Sequence, residues 1–296
     1  MLYHRVTHLD SDPWSLSVSP QHFAEHLQVL RKYSPIRLSE IQSAGEPSRK
    51  KSKLLVAVTF DDGYGDNIDE AVPLLKKYEI PATFFVATGY IGGSREFWWD
   101  ALERTVFHSD SKLPPLDLTA GDRRFFMPPS RGSSRKELYL ALYEFLQPLS
   151  HECRLDTIDQ LYRSCHQPPL ARSSHRVMTM EELKKLASTE LLEIGAHSVT
   201  HPVLSRQPSA TQRTEIVQSK AFLDDLLGRC VVSFSYPYGA PHHYTRETVE
   251  IVRESGFMHG CTTAGRRVQS TDSNLELPRI NITDMDGNVF EKLLSQ

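Results

Sequence analysis

Residues 54–86 contain a buried strand, an amphipathic helix and a second buried strand in succession, and this order restricts the possible folds strongly. Residues 54–58 form a short apolar run rich in branched side chains, which is typical of a strand buried on both faces. Residues 67–78 carry apolar side chains at helical spacing, and residues 80–86 form the next apolar run. A strand–helix–strand unit predicts a parallel sheet with a right-handed crossover.

The same alternation continues in the last third of the chain. Capping signals and a helix-stopping glycine predict helices over residues 179–188, 208–227 and 245–255. Apolar runs predict strands over residues 191–196, 231–236 and 277–282. We find no repeat at a fixed period. The alternation therefore predicts an α/β fold of the (β/α) barrel type with fewer than eight regular strands.

Residues from about 105 to 177 interrupt this alternation. Three proline pairs break the pattern, while residues 135–149 and 152–165 have Leu and Tyr at helical spacing. We predict a mostly helical insertion within a single domain that spans residues 1–296, and we identify no chemistry in the insertion. The aromatic run at 97–99 either lines a cleft or forms a buried packing cluster.

Composition and charge exclude several classes of protein. The net charge of −3 provides no basic surface for nucleic acid. No segment approaches the roughly 18 consecutive apolar residues that a membrane-spanning helix needs. The four cysteines lack CxxC spacing, so we expect them to pack as small apolar groups, with disulfides as the alternative.

The first residues show no charged leader followed by an apolar segment. We therefore expect a cytoplasmic protein in a reducing compartment. A chain trimmed of an export signal would have the same start, and such a protein would be exported.

Two adjacent carboxylates, Asp61 and Asp62, follow the first buried strand where it is expected to end. Gly63 permits a sharp turn directly after them. Ligands and catalytic groups collect at the carboxyl ends of parallel strands. Neighbouring side chains on an extended chain point in different directions, so we expect the two Asp residues to have different roles. Taken alone, this segment fits a site and a solvated turn equally well.

Two histidines, His197 and His201, favour the site. They follow the strand predicted at 191–196, so they should lie at the same edge of the sheet as the Asp pair. Their spacing places both imidazoles on one face of a helical turn, close enough to bind one metal ion. Two His and one Asp form a three-ligand site that suits Zn²⁺ best and also Co²⁺, Ni²⁺ or Fe²⁺. The other Asp can then act as general base on metal-bound water during hydrolysis of an amide or ester.

The chain resembles the polysaccharide deacetylases (NodB homology, carbohydrate esterase family 4). The resemblance rests on Thr59-Phe60-Asp61-Asp62-Gly63, on His197-Ser198-Val199-Thr200-His201, and on Tyr238-Gly239. It extends over nearly the whole chain, from Tyr3-His4-Arg5-Val6 to Leu277-Pro278-Arg279-Ile280.

This resemblance implies a distorted (β/α) barrel. It also implies removal of N-acetyl groups from an amino-sugar glycan or glycan precursor. By motif position, Asp61 would be the base, and the metal ligands would be Asp62, His197 and His201. The backbone N–H of Tyr238 would help to hold the oxyanion.

The chain departs from the family pattern in two ways. Ser235 stands where the family has an arginine that tethers the base, and Arg279 is our candidate replacement, with a surface arginine as the alternative. The family's Asp-x-x-Asp-Trp motif and the late Leu-x-His that supplies the general acid are not evident. His259, His4 and His243 are the candidate acids.

Three functions follow as hypotheses. The leading one is a metal-dependent N-deacetylase of an N-acetylated sugar or oligosaccharide. The second is a metal-containing carbohydrate-binding protein with weak or no turnover, because the family's acid histidine is missing. A glycosidase fits poorly, because adjacent carboxylates do not readily flank a scissile bond at the roughly 5–10 Å separation required. Without an export signal, an intracellular, lipid-linked or nucleotide-linked glycan is favoured over cell-wall polymer.

Overall fold

The computed structural model describes residues 1–41, 54–108, 113–127 and 134–295. The chain divides into two compact units, of which the first comprises residues 1–92 and 177–296 and the second residues 93–176. The second unit includes the predicted insertion at about 105–177 except its last residue, together with residues 93–104. A single domain with a helical insertion stays a prediction.

The strands are short. In chain order they are β1 (Leu2–Tyr3), β2 (Arg5–Val6), β3 (Ser17–Val18), β4 (Ser34–Ile36), β5 (Leu55–Phe60), β6 (Ala82–Val86), β7 (Leu116–Ala120), β8 (Arg123–Met127), β9 (Leu192–Ala196), β10 (Ser233–Ser235) and β11 (His259–Cys261).

The main sheet of the first unit has seven strands in the order β1-β5-β6-β9-β10-β11, with β4 paired to β5. All of its pairings are parallel, and the sheet curls, with helices packed against it, so the predicted (β/α) barrel is confirmed. Phe60 pairs with Phe84, and Val86 with Ala196. The residues that follow β5, β6 and β9 therefore meet at one edge of the sheet, the carboxyl edge.

The strand predicted over residues 277–282 is wrong, because this segment forms only isolated bridges. Leu277 donates its N–H to the Gly260 carbonyl (2.7 Å), whereas Ile282 donates to the Leu2 carbonyl (2.9 Å). The hydrogen-bonding partner thus changes from β11 to β1 along the segment, and no continuous ladder forms. The segment nevertheless joins the two ends of the main sheet.

The helices predicted from spacing and capping signals are all present. Among the described residues the helices are α1 (Pro20–Leu30), α2 (Val72–Tyr78), α3 (Trp98–Phe107), α4 (Arg135–Leu146), α5 (His151–Ser164), α6 (Met180–Ala187), α7 (Ser209–Leu227), α8 (Arg246–Glu254) and α9 (Gly287–Ser295). The prediction missed α3 and α9.

The helix predicted over residues 67–78 begins with a π-helical turn, Asn67–Ala71, before α2. Pro73 has no N–H with which to continue an α-helical ladder, so the hydrogen-bonding pattern changes next to it. Such turns occur often at functional sites, and this one comes directly after the Asp61-Asp62 segment.

The second unit contains α3, α4, α5 and an antiparallel hairpin of β7 and β8 that runs from Leu116↔Met127 to Ala120↔Arg123. The prediction of a mostly helical insertion missed this hairpin. Its inward residues alternate with exposed ones along β7, which is the usual signal of a half-buried strand. The aromatic run at 97–99 is a packing cluster, because all three rings are buried and Phe97 stacks on Trp99 with ring centroids 4.6 Å apart.

The core of the first unit contains an aromatic stack between α1 and the main sheet. Phe60 lies 5.4 Å from Tyr3 and 4.7 Å from Phe84, measured between ring centroids. None of the four cysteines is in a disulfide, and only Cys261 is buried. Within the described ranges, every helix is too short or too polar to cross a bilayer.

Candidate active site

The Asp pair lies where β5 turns away from the sheet. Asp61 still donates its N–H to the Tyr3 carbonyl (3.0 Å), which continues the ladder with β1. Asp62 then adopts a positive φ of 76°, a conformation that non-glycine residues adopt rarely and mostly at functional sites. Gly63 follows at φ 93°, and a Cβ there would lie 3.1 Å from the Val86 side chain. The turn carries two buried carboxylates, both within 4 Å of His197 Nε2.

The helical turn predicted for residues 197–201 is wrong. Ser198 and His201 have φ values of 62° and 55°, so the segment is an irregular loop. The His201 N–H donates to Ser198 Oγ (3.1 Å), which stabilises this conformation. The rings of His197 and His201 nonetheless meet, with centroids 4.7 Å apart. The loop therefore brings the two imidazoles together, as the helical turn was expected to do.

Asp62, His197 and His201 form a compact, buried set of possible metal ligands. One oxygen of Asp62 lies 3.5 Å from Nε2 of each histidine, and one ligand atom from each residue lies within 4.8 Å of the others. His197 Nδ1 donates to the Ser235 carbonyl (2.7 Å), which fixes the ring and turns Nε2 toward Asp62. Three electron-pair donors around one point fit a divalent cation.

The charges around these ligands also fit a cation. Burial opposes ionisation of Asp62, but hydrogen bonding to His197 and the charge of His201 hold the pKa of Asp62 below its usual value. Burial similarly opposes a charge on His197, yet the carboxylates of Asp61 and Asp62 raise the pKa of that imidazole. The cluster thus attracts positive charge, and a bound cation would take over the role of the proton.

Asp61 is held by a buried arginine from the far end of the chain. Arg279 donates through its two terminal nitrogens to the two oxygens of Asp61, each at 2.7 Å. Ser235 Oγ donates to Asp61 (3.0 Å) and accepts from Arg279 (2.8 Å), while Thr59 Oγ1 accepts from Arg279 (3.0 Å). The side chain of Arg279 is 4% exposed, so it is not a surface arginine. It occupies the tethering position that Ser235 leaves open.

This arrangement keeps Asp61 ionised. Burial alone would raise the pKa of Asp61, but the adjacent Arg279 guanidinium and the nearby His197 lower it well below its usual value. An ionised carboxylate 3.9 Å from His197 Nε2 can accept a proton beside the metal ligands.

Tyr238 lies next to the second histidine. Its ring centroid is 4.6 Å from that of His201, and its φ is 61°. Thr263 Oγ1 donates to the Tyr238 carbonyl (2.9 Å), and a Cβ at Gly239 would approach Thr263 to 2.7 Å. This packing fixes the backbone at the end of β10, where the oxyanion donor is predicted.

The polysaccharide deacetylase family model matches residues 48–108 and 168–259, which are just over half of the chain. The chain belongs to the polysaccharide deacetylase family. Both matched ranges carry site residues, since the first contains the Asp pair and the second contains the two histidines and Tyr238.

Relatives of this polysaccharide deacetylase match almost its full length. YxkH of Bacillus subtilis (strain 168) is 21% identical over 293 residues, which are 98% of this chain and 73% of that protein. The poly-beta-1,6-N-acetyl-D-glucosamine N-deacetylase of Staphylococcus epidermidis is 23% identical over 282 residues, covering 95% and 72% of the two chains. The solved structure of the Streptococcus pyogenes deacetylase PplD has the same fold, with a TM-score of 0.62, 22% identity, and coverage of 100% and 95%.

Two of the candidate acids in this deacetylase lie away from the Asp61 carboxylate. His259 pairs with Ser233 in the sheet, two residues before the carboxyl end of β11. Burial lowers the pKa of His259, and the charged group that acts against this is Glu193. His243 packs against Tyr238, with ring centroids 5.2 Å apart. The structure does not bring either imidazole to Asp61.

His4 is better placed than the other two. It follows β1, whose last residue Tyr3 pairs with Phe60, so it lies level with Asp61 at the carboxyl edge. Asn67 donates its side-chain N–H to the His4 carbonyl (2.9 Å), which fixes the backbone there. Burial opposes ionisation of Asp61 and Asp62, but the pKa values of both are lowered, and His4 is among the groups whose charge lowers them.

Sequence reasoning missed Glu215, which supports the loop between the two histidines. Its carboxylate accepts the N–H groups of Val199 and Thr200, both at 2.8 Å, and the Thr200 hydroxyl at 2.6 Å. Glu215 is 8% exposed and shares the buried face of α7 with Ile216. A carboxylate on an apolar helix face was the signal in the sequence, because a buried charge needs partners.

Proposed function

We propose that this protein removes N-acetyl groups from a glycan containing N-acetylglucosamine, with a divalent cation held by Asp62, His197 and His201. The observation that carries the proposal is a buried three-ligand set beside an ionised Asp61 that Arg279 holds in place. Two similar proteins are named as poly-beta-1,6-N-acetyl-D-glucosamine N-deacetylases, which supports this substrate class. Two imidazoles and a carboxylate favour Zn²⁺.

A divalent cation bound by these ligands would polarise the acetamide carbonyl and acidify an adjacent water. Asp61 accepts a proton from the attacking water. Its two oxygens are oriented by Arg279 and Ser235, so no side-chain rearrangement is needed when the proton transfers. The carbon–nitrogen bond then breaks, and the products are acetate and the free amine of the sugar.

The leaving nitrogen needs a proton, and we assign its donor to His4. This histidine lies level with Asp61 at the carboxyl edge, whereas His259 lies deeper in its strand. A histidine suits this role because an imidazole is a common general acid in enzymes. The Tyr238 N–H is the proposed oxyanion donor, and such a donor contributes about 3 kcal/mol to transition-state stabilisation.

Acetate release tests the function directly. The substrates are β-1,6-linked and β-1,4-linked oligomers of N-acetylglucosamine and an N-acetylated sugar nucleotide, each assayed with added Zn²⁺. We expect release from an oligomer and loss of release in Asp61→Asn, while Asp117→Asn serves as a control because that carboxylate is exposed in the second unit. Activity that survives Asp61→Asn would contradict the proposed base. Sugar binding without acetate release on any substrate would instead indicate a carbohydrate-binding protein.

A further inference from the structure

The chain turns from one sheet to another at His4, the proposed general acid. Tyr3 ends β1 in the main sheet, and Arg5 begins β2, which pairs with β3 in a separate two-stranded sheet. His4 is the single residue between these strands, and we call residues 4–6 the corner segment. Because His4 belongs to neither strand, the position of its imidazole depends on the contacts that hold this segment.

Asp66 and Asn67 bind all three residues of the corner segment. Asn67 Nδ2 donates to the His4 carbonyl (2.9 Å) and to Asp66 Oδ1 (3.1 Å). The same carboxylate oxygen accepts the N–H of Val6 (3.1 Å). The other oxygen of Asp66 accepts from Nε (2.9 Å) and a terminal nitrogen (2.8 Å) of Arg5. Two adjacent side chains thus hold a carbonyl, a guanidinium and an N–H of three consecutive residues.

The contact between Asn67 and His4 is buried and lies close to the Asp pair in sequence. Asn67 is fully buried, and it is the first residue of the π-helical turn that follows the Asp61-Asp62 segment. Its own N–H donates to the Tyr64 carbonyl (3.2 Å), which fixes the start of the turn. Loss of a buried donor leaves its acceptors unsatisfied. A change at Asn67 is therefore expected to shift His4 relative to the two aspartates.

We propose that Asn67 and Asp66 are positioning residues, which hold His4 where it can protonate the leaving nitrogen. This inference rests on the proposed function and specifies how its general acid is held. His4 is among the groups whose charge lowers the pKa values of Asp61 and Asp62, so its imidazole lies near both carboxylates.

The proposed step is sensitive to the position of His4. The imidazolium gives its proton to the amide nitrogen as the carbon–nitrogen bond breaks, and the neutral imidazole regains a proton from solvent. Such a transfer needs a donor–acceptor distance of roughly 2.6–3.2 Å. A small displacement of His4 therefore slows this step while substrate and metal binding stay unchanged.

The first test is a double-mutant cycle on acetate release from an N-acetylglucosamine tetramer. Asn67→Leu has a similar size but removes both donated bonds, and we expect kcat to fall about tenfold with KM and bound metal unchanged. His4→Gln should lower kcat about a hundredfold. The double variant should match His4→Gln within about twofold, because Asn67 then has no acid to position. Asn288→Leu, at an exposed position in α9, is the matched control and should keep the wild-type kcat.

The second test changes the leaving group. Hydrolysis of p-nitrophenyl acetate releases a phenolate that is stable without a proton, so this reaction does not need the general acid. Asn67→Leu should therefore keep the wild-type kcat/KM for the ester while it loses activity on the tetramer. A melting temperature shows whether each variant is folded. If Asn67→Leu does not fold, Asn67→Ser, which keeps one donor, replaces it in both tests.

The outcomes separate this inference from the proposed function. A further loss when Asn67→Leu is added to His4→Gln, or an equal loss on the tetramer and the ester, overturns the positioning role while deacetylation stands. A loss confined to the tetramer and absent from the His4→Gln background supports it. If the wild-type protein does not hydrolyse the ester, the double variant decides. A wild-type protein that releases no acetate overturns the proposed function, and the role of Asn67 with it.

Discussion

Each compact unit contains a buried cluster of charged side chains, and the two clusters satisfy their carboxylates differently. In the second unit, Arg172 donates to both oxygens of Glu96 (3.0 and 2.9 Å) and to Glu103 (2.9 Å). Arg104 adds a bond to Glu96 (3.2 Å) and another to the Leu170 carbonyl (2.8 Å). Guanidinium groups thus neutralise the carboxylates of this cluster.

The cluster at the carboxyl edge pairs only one of its two aspartates in this way. Asp61 receives both terminal nitrogens of Arg279, whereas Asp62 faces the Nε2 atoms of two histidines. A neutral imidazole nitrogen that points at a carboxylate offers an electron pair rather than a charge. Pairing with arginine completes the first cluster, whereas the second cluster presents a set of electron-pair donors that could hold an added cation.

Replacing one of the three possible metal ligands should have the largest effect on activity. We expect His201→Ala to lower kcat/KM for acetate release about a thousandfold or more, because several kcal/mol of Lewis-acid stabilisation are lost with the cation. Elemental analysis of the purified protein should show reduced bound metal. Asp117→Asn should retain both metal and activity, and a His201→Ala protein with full activity would show that the cluster does not depend on a cation.

Removing Arg279, which pairs with Asp61 in the same cluster, should lower activity but leave the metal content unchanged. We expect Arg279→Met to lower kcat about a hundredfold, because Asp61 loses the group that orients it and keeps it ionised. The pKa of Asp61 is lowered in the folded protein, chiefly by Arg279 acting against burial. Without the guanidinium that pKa rises, so the acidic limb of the pH–rate profile should move to higher pH. An unchanged acidic limb would argue against Asp61 as the base.

A substitution in the arginine-paired cluster of the second unit should lower the stability of the protein instead. We expect Arg172→Met to lower the free energy of unfolding by about 3 kcal/mol, because it leaves the fully buried Glu96 carboxylate with fewer partners. Urea denaturation measures this change, and metal content should be unaffected. Arg124→Met removes an exposed ion pair and is the control, with an expected change below about 1 kcal/mol. If both variants lower the free energy of unfolding by the same amount, the buried ion pairs stabilise the protein no more than an exposed one does.

The sequence was sufficient to predict the parallel sheet and the convergence of Asp61, Asp62, His197 and His201. Apolar runs and helical spacing are local signals, and the carboxyl ends of parallel strands share an edge. The sequence left two alternatives for Arg279, which were pairing with Asp61 and a position on the surface. The two residues are 218 positions apart, and no local pattern specifies such a contact.

The wrong predictions have physical causes. A spacing of four residues fits a helical turn and also an irregular loop, and in the loop at 197–201 Glu215 supplies hydrogen bonds that a helix would have made internally. The hairpin of β7 and β8 had an alternating pattern that the proline pairs around it obscured.

The smallest expected effect comes from Glu215, whose carboxylate is satisfied by backbone N–H groups rather than by arginine. Glu215→Gln keeps the shape of the side chain but weakens the bonds to Val199 and Thr200, and the loop that orients His201 becomes less fixed. Loss of such support typically weakens metal affinity 10-fold to 100-fold. Competition with a chromophoric chelator measures this, with Glu254→Gln, an exposed carboxylate, as the control. If Glu215→Gln lowers the melting temperature and leaves metal affinity unchanged, the carboxylate supports the fold rather than the ligands.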